Sequence, residues 1–240
     1  MKLALSYKHL KRHKPFSVTI VFLAAMILIC VYLVNSNQVR GDELIIGLAA
    51  SFLRLLVAFC ISLALALPAA LLITYSQKSE DFFLPLFDVL QSLPGLAILP
   101  LAIKVFGSSE VAAIFILVTA MLWSIMFALV SGIKNLRQDL VEAADVFGAK
   151  GVSKLWSFLI PGLFPSVVTG SIIAWGAGWE VIVGAELLGI KTGIGAFLNS
   201  ANGNSTVLVI GIGALGILIF ILNKMVWLPL LRKSSMYQNE

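Results

Sequence analysis

The sequence predicts an all-α integral membrane protein of about six transmembrane helices, and three observations carry that prediction. Of the 240 residues 60% are hydrophobic and only 12% charged, with a mean hydropathy of +1.01, so the chain holds more apolar surface than one soluble core can hide. Apolar stretches long enough for a helix to cross a bilayer core of about 30 Å recur along it. Within them apolar residues occupy every face, as in Ile61-Ser62-Leu63-Ala64-Leu65-Ala66-Leu67, which excludes the apolar/polar alternation of a membrane barrel. Backbone groups in lipid have to be satisfied within their own segment, so each stretch is expected to be a helix.

Residues 1–15 form a basic tail containing Lys2, Lys8, Lys11, Arg12 and Lys14. The apolar segment 16–34 follows; it is too long for a signal-peptide core and has no small-residue cleavage pattern before Asn35-Ser36-Asn37, so it reads as a retained first crossing. Further apolar segments span 45–73, 83–106, 111–131, 161–188 and 206–229; residues 45–231 read as one membrane domain, with a closing tail at 232–240. Pro68, Pro94, Pro100 and Pro165 lie in or beside crossings, where each removes a backbone donor and tends to kink its helix. The step Leu93-Pro94-Gly95 is the strongest candidate for a functional break, although proline is common enough in membrane helices that a kink without function is the alternative. In the segment 161–188, Ser166, Gly170, Ala174 and Gly178 recur every fourth residue and line a ridge of small side chains, suited to close packing within the chain or against a second copy.

With the N-terminus inside, one side of the membrane receives the basic tail, Lys78, Lys134, Arg137, Lys150, Lys154, Lys224, Arg232 and Lys233, and the other only Arg40 and Lys191. Lys and Arg accumulate on cytoplasmic loops, so both termini and the segment 132–160 are expected in the cytoplasm. Cys30 and Cys60 lie in apolar runs without metal-ligand or disulfide spacing, and His9 and His13 sit in the solvated tail. No Gly-x-x-x-x-Gly-Lys-Ser/Thr phosphate loop occurs, so the chain has no evident means of binding ATP itself. No bond chemistry, cofactor, metal or nucleic-acid partner is expected of it.

The segment 132–160 is too long and too regular for a simple connection. Residues 139–147 lack helix breakers and set Leu140, Ala143, Ala144 and Phe147 on one face. Gly148 permits a sharp reorientation, and a second short helix over 152–158 leads to Pro161 at the membrane. Such a helix-turn-helix exposes small Ala143 and Ala144 beside charged Glu142 and Asp145, a surface shaped for insertion into a groove on another protein.

Arg54 is about ten residues into its crossing and is expected near mid-depth, where an isolated charge costs at least a few kcal/mol. Pairing with Glu180 or Glu186 near the outer end of a translocation path is one reading; direct contact with an anionic solute and a purely structural ion pair are the others. Lys104 lies close enough to a helix end to snorkel to the headgroups.

Glu142-Ala143-Ala144, three residues, Gly148, nine residues, then Phe158, Ile160 and Pro161 resembles the EAA loop of ABC-importer permeases, with apolar Phe158 and Ile160 where Ile and Leu are usual. Ser51-Phe52-Leu53-Arg54, Gln91-Ser92-Leu93-Pro94-Gly95 through Leu101, and Gly184-Ala185-Glu186-Leu187-Leu188 before Gly193-Ile194-Gly195 resemble the nitrate/sulfonate/taurine branch of these permeases, and the likeness covers most of residues 45–230. It implies the transmembrane domain of a type I ABC importer in a bacterial inner membrane. Two copies, or this chain with a similar one, would sit above two ATP-binding subunits docked on Glu142, Ala143, Ala144, Gly148 and Pro161. A solute-binding protein would deliver cargo near the outward loop 189–204, whose composition suits a mobile or re-entrant cap, and alternating access would carry it past Arg54, Glu180, Glu186 and Pro94. An ion-coupled carrier, which needs no docking loop and often shows two related halves, is the rival transporter. A membrane scaffold without transport would tolerate loss of Arg54, Glu180 and Glu186.

Overall fold

Apolar runs become helices and polar breaks become turns throughout the computed structural model, which describes residue 31 and residues 41–107, 109–136 and 159–238. The basic tail, the segment 16–34 apart from Val31, and the loop residues Glu142, Ala143, Ala144 and Gly148 lie outside the described residues. The helices are α1 (Gly41–Thr74), α2 (Gln77–Gln91), α3 (Gly95–Phe106), α4 (Ser109–Lys134), α5 (Phe164–Leu188), α6 (Ile194–Ser200), α7 (Ser205–Leu222) and α8 (Leu228–Gln238). A short helical turn, Ile160–Gly162, precedes α5, and a π-helical turn, Asn223–Trp227, joins α7 to α8. Gly41–Thr74, Ser109–Lys134, Phe164–Leu188 and Ser205–Ser235 are each long and apolar enough to cross a membrane.

The apolar segment 83–106 departs from the continuous crossing its hydropathy predicts. It is split between α2 and α3, which meet at 89°. Pro94 (φ −65°, ψ 113°) has no N–H to continue α2 and is extended, so the chain reorients and its carbonyl accepts from Ala97 N–H at 2.9 Å to begin α3. With 15 and 12 residues, the two helices are about 22 and 18 Å long, so the pair makes at most one crossing. Pro165 does not kink a helix; it stands in the first turn of α5, where a missing N–H costs nothing.

α4 and α5 form the centre, with α1 packed on α4, and Leu55, Ile116, Leu117, Met121, Ile125, Leu129 and Ile182 are fully buried between them. The small ridge of α5 is what lets these helices approach. A Cβ on Gly170 would lie 2.7 Å from Ala128 Cβ, one on Gly178 would lie 2.6 Å from Leu55 Cδ1, and one on Gly132 of α4 would overlap Ser166. The ridge is therefore spent on packing within the chain. Gly170→Leu is expected to lower the thermal midpoint of the detergent-purified protein by several degrees or prevent folding, because overpacking a filled core costs about 1–3 kcal/mol or more. Gly176→Ala, at a position where a Cβ meets nothing within 4 Å, is the control and should leave it unchanged.

On the far side of α5, Trp175 packs edge-on against Phe59 and against Trp227, with ring centroids 5.5 and 5.7 Å away. The π-helical turn presents Trp227 to this cluster and so anchors the last helix. At one end of the bundle Lys134 Nζ lies 2.5 Å from Glu80 Oε1, tying α4 to the start of α2. At the same end a Cβ on Gly162 would lie 3.0 Å from Leu136 Cδ2. The described residues on either side of the segment 137–158 are thus neighbours in space.

Candidate functional site

At the opposite end, one face of α1 carries Gly47, Ser51 and Arg54, three to four residues apart and hence stacked along the helix. Glu186 stands in the last turn of α5, Glu110 in the first turn of α4, Thr192 and Gly193 in the connection from α5 to α6, and Ile194 and Gly195 in the first turn of α6. These three helix ends and the connection meet at Arg54.

A guanidinium has five N–H donors in a fixed fork, and every one is engaged here. Nε and Nη2 bond Glu110 Oε2 and Oε1, each at 2.6 Å, in a bidentate pair. Nη1 donates to Glu186 Oε1 at 2.8 Å and to the Thr192 carbonyl at 3.0 Å, and Nη2 also donates to the Thr192 hydroxyl. Arg54 consequently has no donor left for a solute. The Arg54 side chain is 8% exposed, Glu186 is 0% and Glu110 is 52%, so the cluster has a dry half and a wet half.

The dry half is fully hydrogen-bonded, as a buried carboxylate has to be. Glu186 accepts from Arg54, from Gly195 N–H at 2.8 Å and from the Ser51 hydroxyl, which lies 2.7 and 2.8 Å from its two oxygens. Ser51 Oγ in turn accepts from Ile194 N–H at 2.9 Å. The backbone of the Gly193-Ile194-Gly195 turn therefore lies directly on the carboxylate. Gly193 has φ +120° and a Cβ there would lie 2.1 Å from the Glu186 carboxyl carbon; a Cβ on Gly195 would lie 2.5 Å from the Val183 carbonyl. Both glycines are required by close approach, and the first also by its dihedral. Gly193→Ala is expected to destabilise the packing of the loop 189–204, read as faster proteolysis there or a lowered thermal midpoint.

Beyond this turn α6 sends Ile194, Phe197 and Leu198 into a second apolar cluster with Leu44 and Ile210. The loop 189–204, which composition alone suits to a mobile cap, is packed through these side chains onto α1 and α7.

Of the sequence-predicted residues, Arg54 and Glu186 are brought together, while Glu180 is exposed on another face of α5 and makes no ion pair among the described residues. Arg54 sits level with the ends of α4 and α5, where Glu110 and Glu186 meet it, and α1, with 34 residues and about 51 Å, is longer than a bilayer core requires. Glu110 escaped sequence reasoning because an acid in a helix's first turn reads as ordinary dipole compensation. Pro94 lies at the α2–α3 break, and Pro161 is exposed in the turn before α5.

The break opens into a cavity of about 390 Å³, bounded by Gln91, Gly95, Thr119, Trp123, Ser124 and Val181 among others. Its wall is apolar and aromatic with a few uncharged hydrogen-bonding groups, the make-up of a small-solute site.

Residues 62–227 match the model of a family described as binding-protein-dependent transport system inner membrane component. The chain is 29% identical over 177 residues to the taurine transport system permease protein TauC of Escherichia coli (strain K12), covering 73% of this chain and 64% of that one. It is 32% identical over 177 residues to the nitrate import permease protein NrtB of Leptolyngbya laminosa, covering 72% and 63%. A putative aliphatic sulfonates transport permease protein, SsuC of Bacillus subtilis (strain 168), is 26% identical over 173 residues, covering 72% and 63%. The matched stretch thus spans under two thirds of the length of these curated relatives.

Proposed function

The chain belongs to the family of inner-membrane components of binding-protein-dependent transport systems, and on that premise we propose that it is the membrane-spanning subunit of an ATP-driven importer of a small solute. Membership makes it a multi-pass inner-membrane protein. The observation that carries the proposal is the family match, which runs through the cytoplasmic-side loop and covers the helices on both sides of it.

In this reading two copies enclose the path, an ATP-binding subunit docks beneath each, and a solute-binding protein delivers cargo from outside. Both termini face the cytoplasm, in keeping with the Lys and Arg distribution. Glu142, Ala143, Ala144, Gly148 and Pro161 form the docking surface, and this chain performs no hydrolysis and needs no cofactor. The neighbouring exits of the segment 137–158, from α4 and towards α5, support a lever role, because those two helices are packed through the small ridge and would move as a unit. ATP-driven closure of the subunits below draws the two loops together and opens the helices outward.

At the outer end the Arg54 cluster holds the cap to α1 and α4 and leaves solute contact to others, since its donors are saturated. The path runs by Pro94 and Glu180. The cargo is a small solute of the kind the relatives' names describe, nitrate, sulfonate or taurine, or one related to them.

The test is energy coupling in proteoliposomes containing the purified assembly. Accumulation that follows ATP and survives collapse of ion gradients is expected. Accumulation that follows the gradient and ignores ATP would replace the importer with an ion-coupled carrier.

A further inference from the structure

Glu180 is the one acidic side chain of α5 outside the Arg54 cluster, and its position poses a physical problem. It lies six residues before Glu186, about 9 Å further along the axis towards the middle of the apolar helix α5. A short carboxylate side chain cannot reach the headgroups from there as a lysine does. It is exposed, and neither Arg54, Lys104 nor Lys191 bridges to it among the described residues. A bare carboxylate against lipid at that depth costs at least about 2–3 kcal/mol, so this face of α5 does not meet lipid.

The same stripe of α5 carries Thr169, Ile173 and Gly176, all exposed, and a Cβ on Gly176 would meet nothing within 4 Å. One turn beyond Glu180, a Cβ on Gly184 would lie 2.6 Å from Leu96 Cδ1, which places the stripe beside the start of α3. The next residue, Val181, borders the 390 Å³ cavity at the α2–α3 break. That cavity offers Gln91, Thr119, Ser124 and the Trp123 ring and is bordered by no cationic side chain among the described residues. An open stripe and an acid without an ion pair among the described residues thus lie next in sequence to a residue that borders a neutral aromatic cavity, and the donors of the nearby Arg54 cluster are fully consumed.

We propose that Glu180 projects into the water-filled translocation path and makes it attractive to cations, so that the solute passes with a positively charged nitrogen group, alone or in a zwitterion, facing this carboxylate and Trp123. This deepens the importer reading and rests on it. A water-excluding wall on two sides focuses the field of one carboxylate, which raises the local concentration of cations about tenfold or more. An aromatic face adds cation–π attraction for an ammonium or a charged nitrogen heterocycle. A bare inorganic anion would be repelled at the same point, which narrows the cargo proposed above to solutes that carry a positively charged nitrogen group.

The experiment needs no identified solute. In a Cys30→Ser/Cys60→Ser background, Gly176→Cys, and separately Ile173→Cys, place a thiol on the Glu180 stripe. Their modification rates are measured with the trimethylammonium-bearing and the sulfonate-bearing ethyl methanethiosulfonates, on the complete assembly in membranes, with and without ATP. Each pair of rates is normalised to those of a free thiol. The expected result is a cation-to-anion preference of about tenfold that Glu180→Gln reduces at least fivefold. A preference unchanged by Glu180→Gln would overturn the charge assignment. No reaction with either reagent at either position, in any nucleotide state, would overturn the aqueous path along this face. Co-purification of the ATP-binding subunit is scored on the same preparations: its loss counts against the importer reading, whereas its presence with no charge preference counts against this inference alone.

Discussion

Arg54→Met is expected to cost the folded chain about 3–5 kcal/mol, because it leaves Glu186 ionised, buried and without its cation. Ser51 and Gly195 would still donate to the carboxylate, but two neutral donors do not replace a charge in a dry site. The Glu110 half of the cluster contributes little to that loss, since its carboxylate is half exposed and returns to water. Glu186→Gln is milder, as Gln keeps the shape and an acceptor while Arg54 keeps Glu110. The double variant Arg54→Met/Glu186→Gln should recover part of what Arg54→Met loses, since residues in direct contact couple by about 0.5–3 kcal/mol. Thermal midpoints in detergent read all three; an Arg54→Met midpoint equal to the parent's would refute a stabilising pair. Exchanging the two charges is not expected to rescue either single variant. The site of Glu186 is closed by the backbone of Gly193 and Gly195 and has no room for a guanidinium.

Gly148→Asp is expected to abolish ATP-driven transport while leaving the membrane bundle folded. In the proposed docking loop a glycine between two expected short helices would supply a turn that a residue with a side chain resists, and an added carboxylate near Glu142 and Asp145 in sequence would change the charge of the proposed docking surface. Gly148 belongs to none of the helices α1 to α8, and in the proposed loop its substitution is expected to leave thermal midpoint and detergent monodispersity at the parent values. Loss of the ATP-binding subunit from a variant that purifies normally is the expected readout, and full retention of both subunit and transport would contradict a docking role for this turn.

The helices were legible in the sequence wherever hydropathy and helix length coincide, as in α4 and α5. The α2–α3 break was legible only as a proline step, because a hydropathy window averages across the three residues where the chain turns by 89°. The ridge of Ser166, Gly170, Ala174 and Gly178 announced close packing but not its partner, since small residues fit a helix of the same chain as well as one of another. Its contacts with Ala128, Ile125 and Leu55 decide the matter.

Arg54 and Glu186 were each visible as costly charges, and the choice between Glu180 and Glu186 needed the rotational phase of α5 relative to α1. Six residues leave the two acids about 120° apart around the helix and about 9 Å apart along it, so only one of the two meets Arg54. Glu110 and Thr192 carried no signal because their role comes from the convergence of three chain segments distant in sequence. The level of Arg54 within the bundle carried no signal for a related reason: the apolar run marks where a helix can lie in lipid, not where its neighbours end.

The most direct test of the central claim is purification of the tagged full chain under conditions that preserve membrane complexes, with identification and stoichiometry of what accompanies it. The account predicts one ATP-binding subunit for each copy of this chain, lost in the Gly148→Asp variant. A wild-type chain that purifies without any ATP-binding subunit would contradict it.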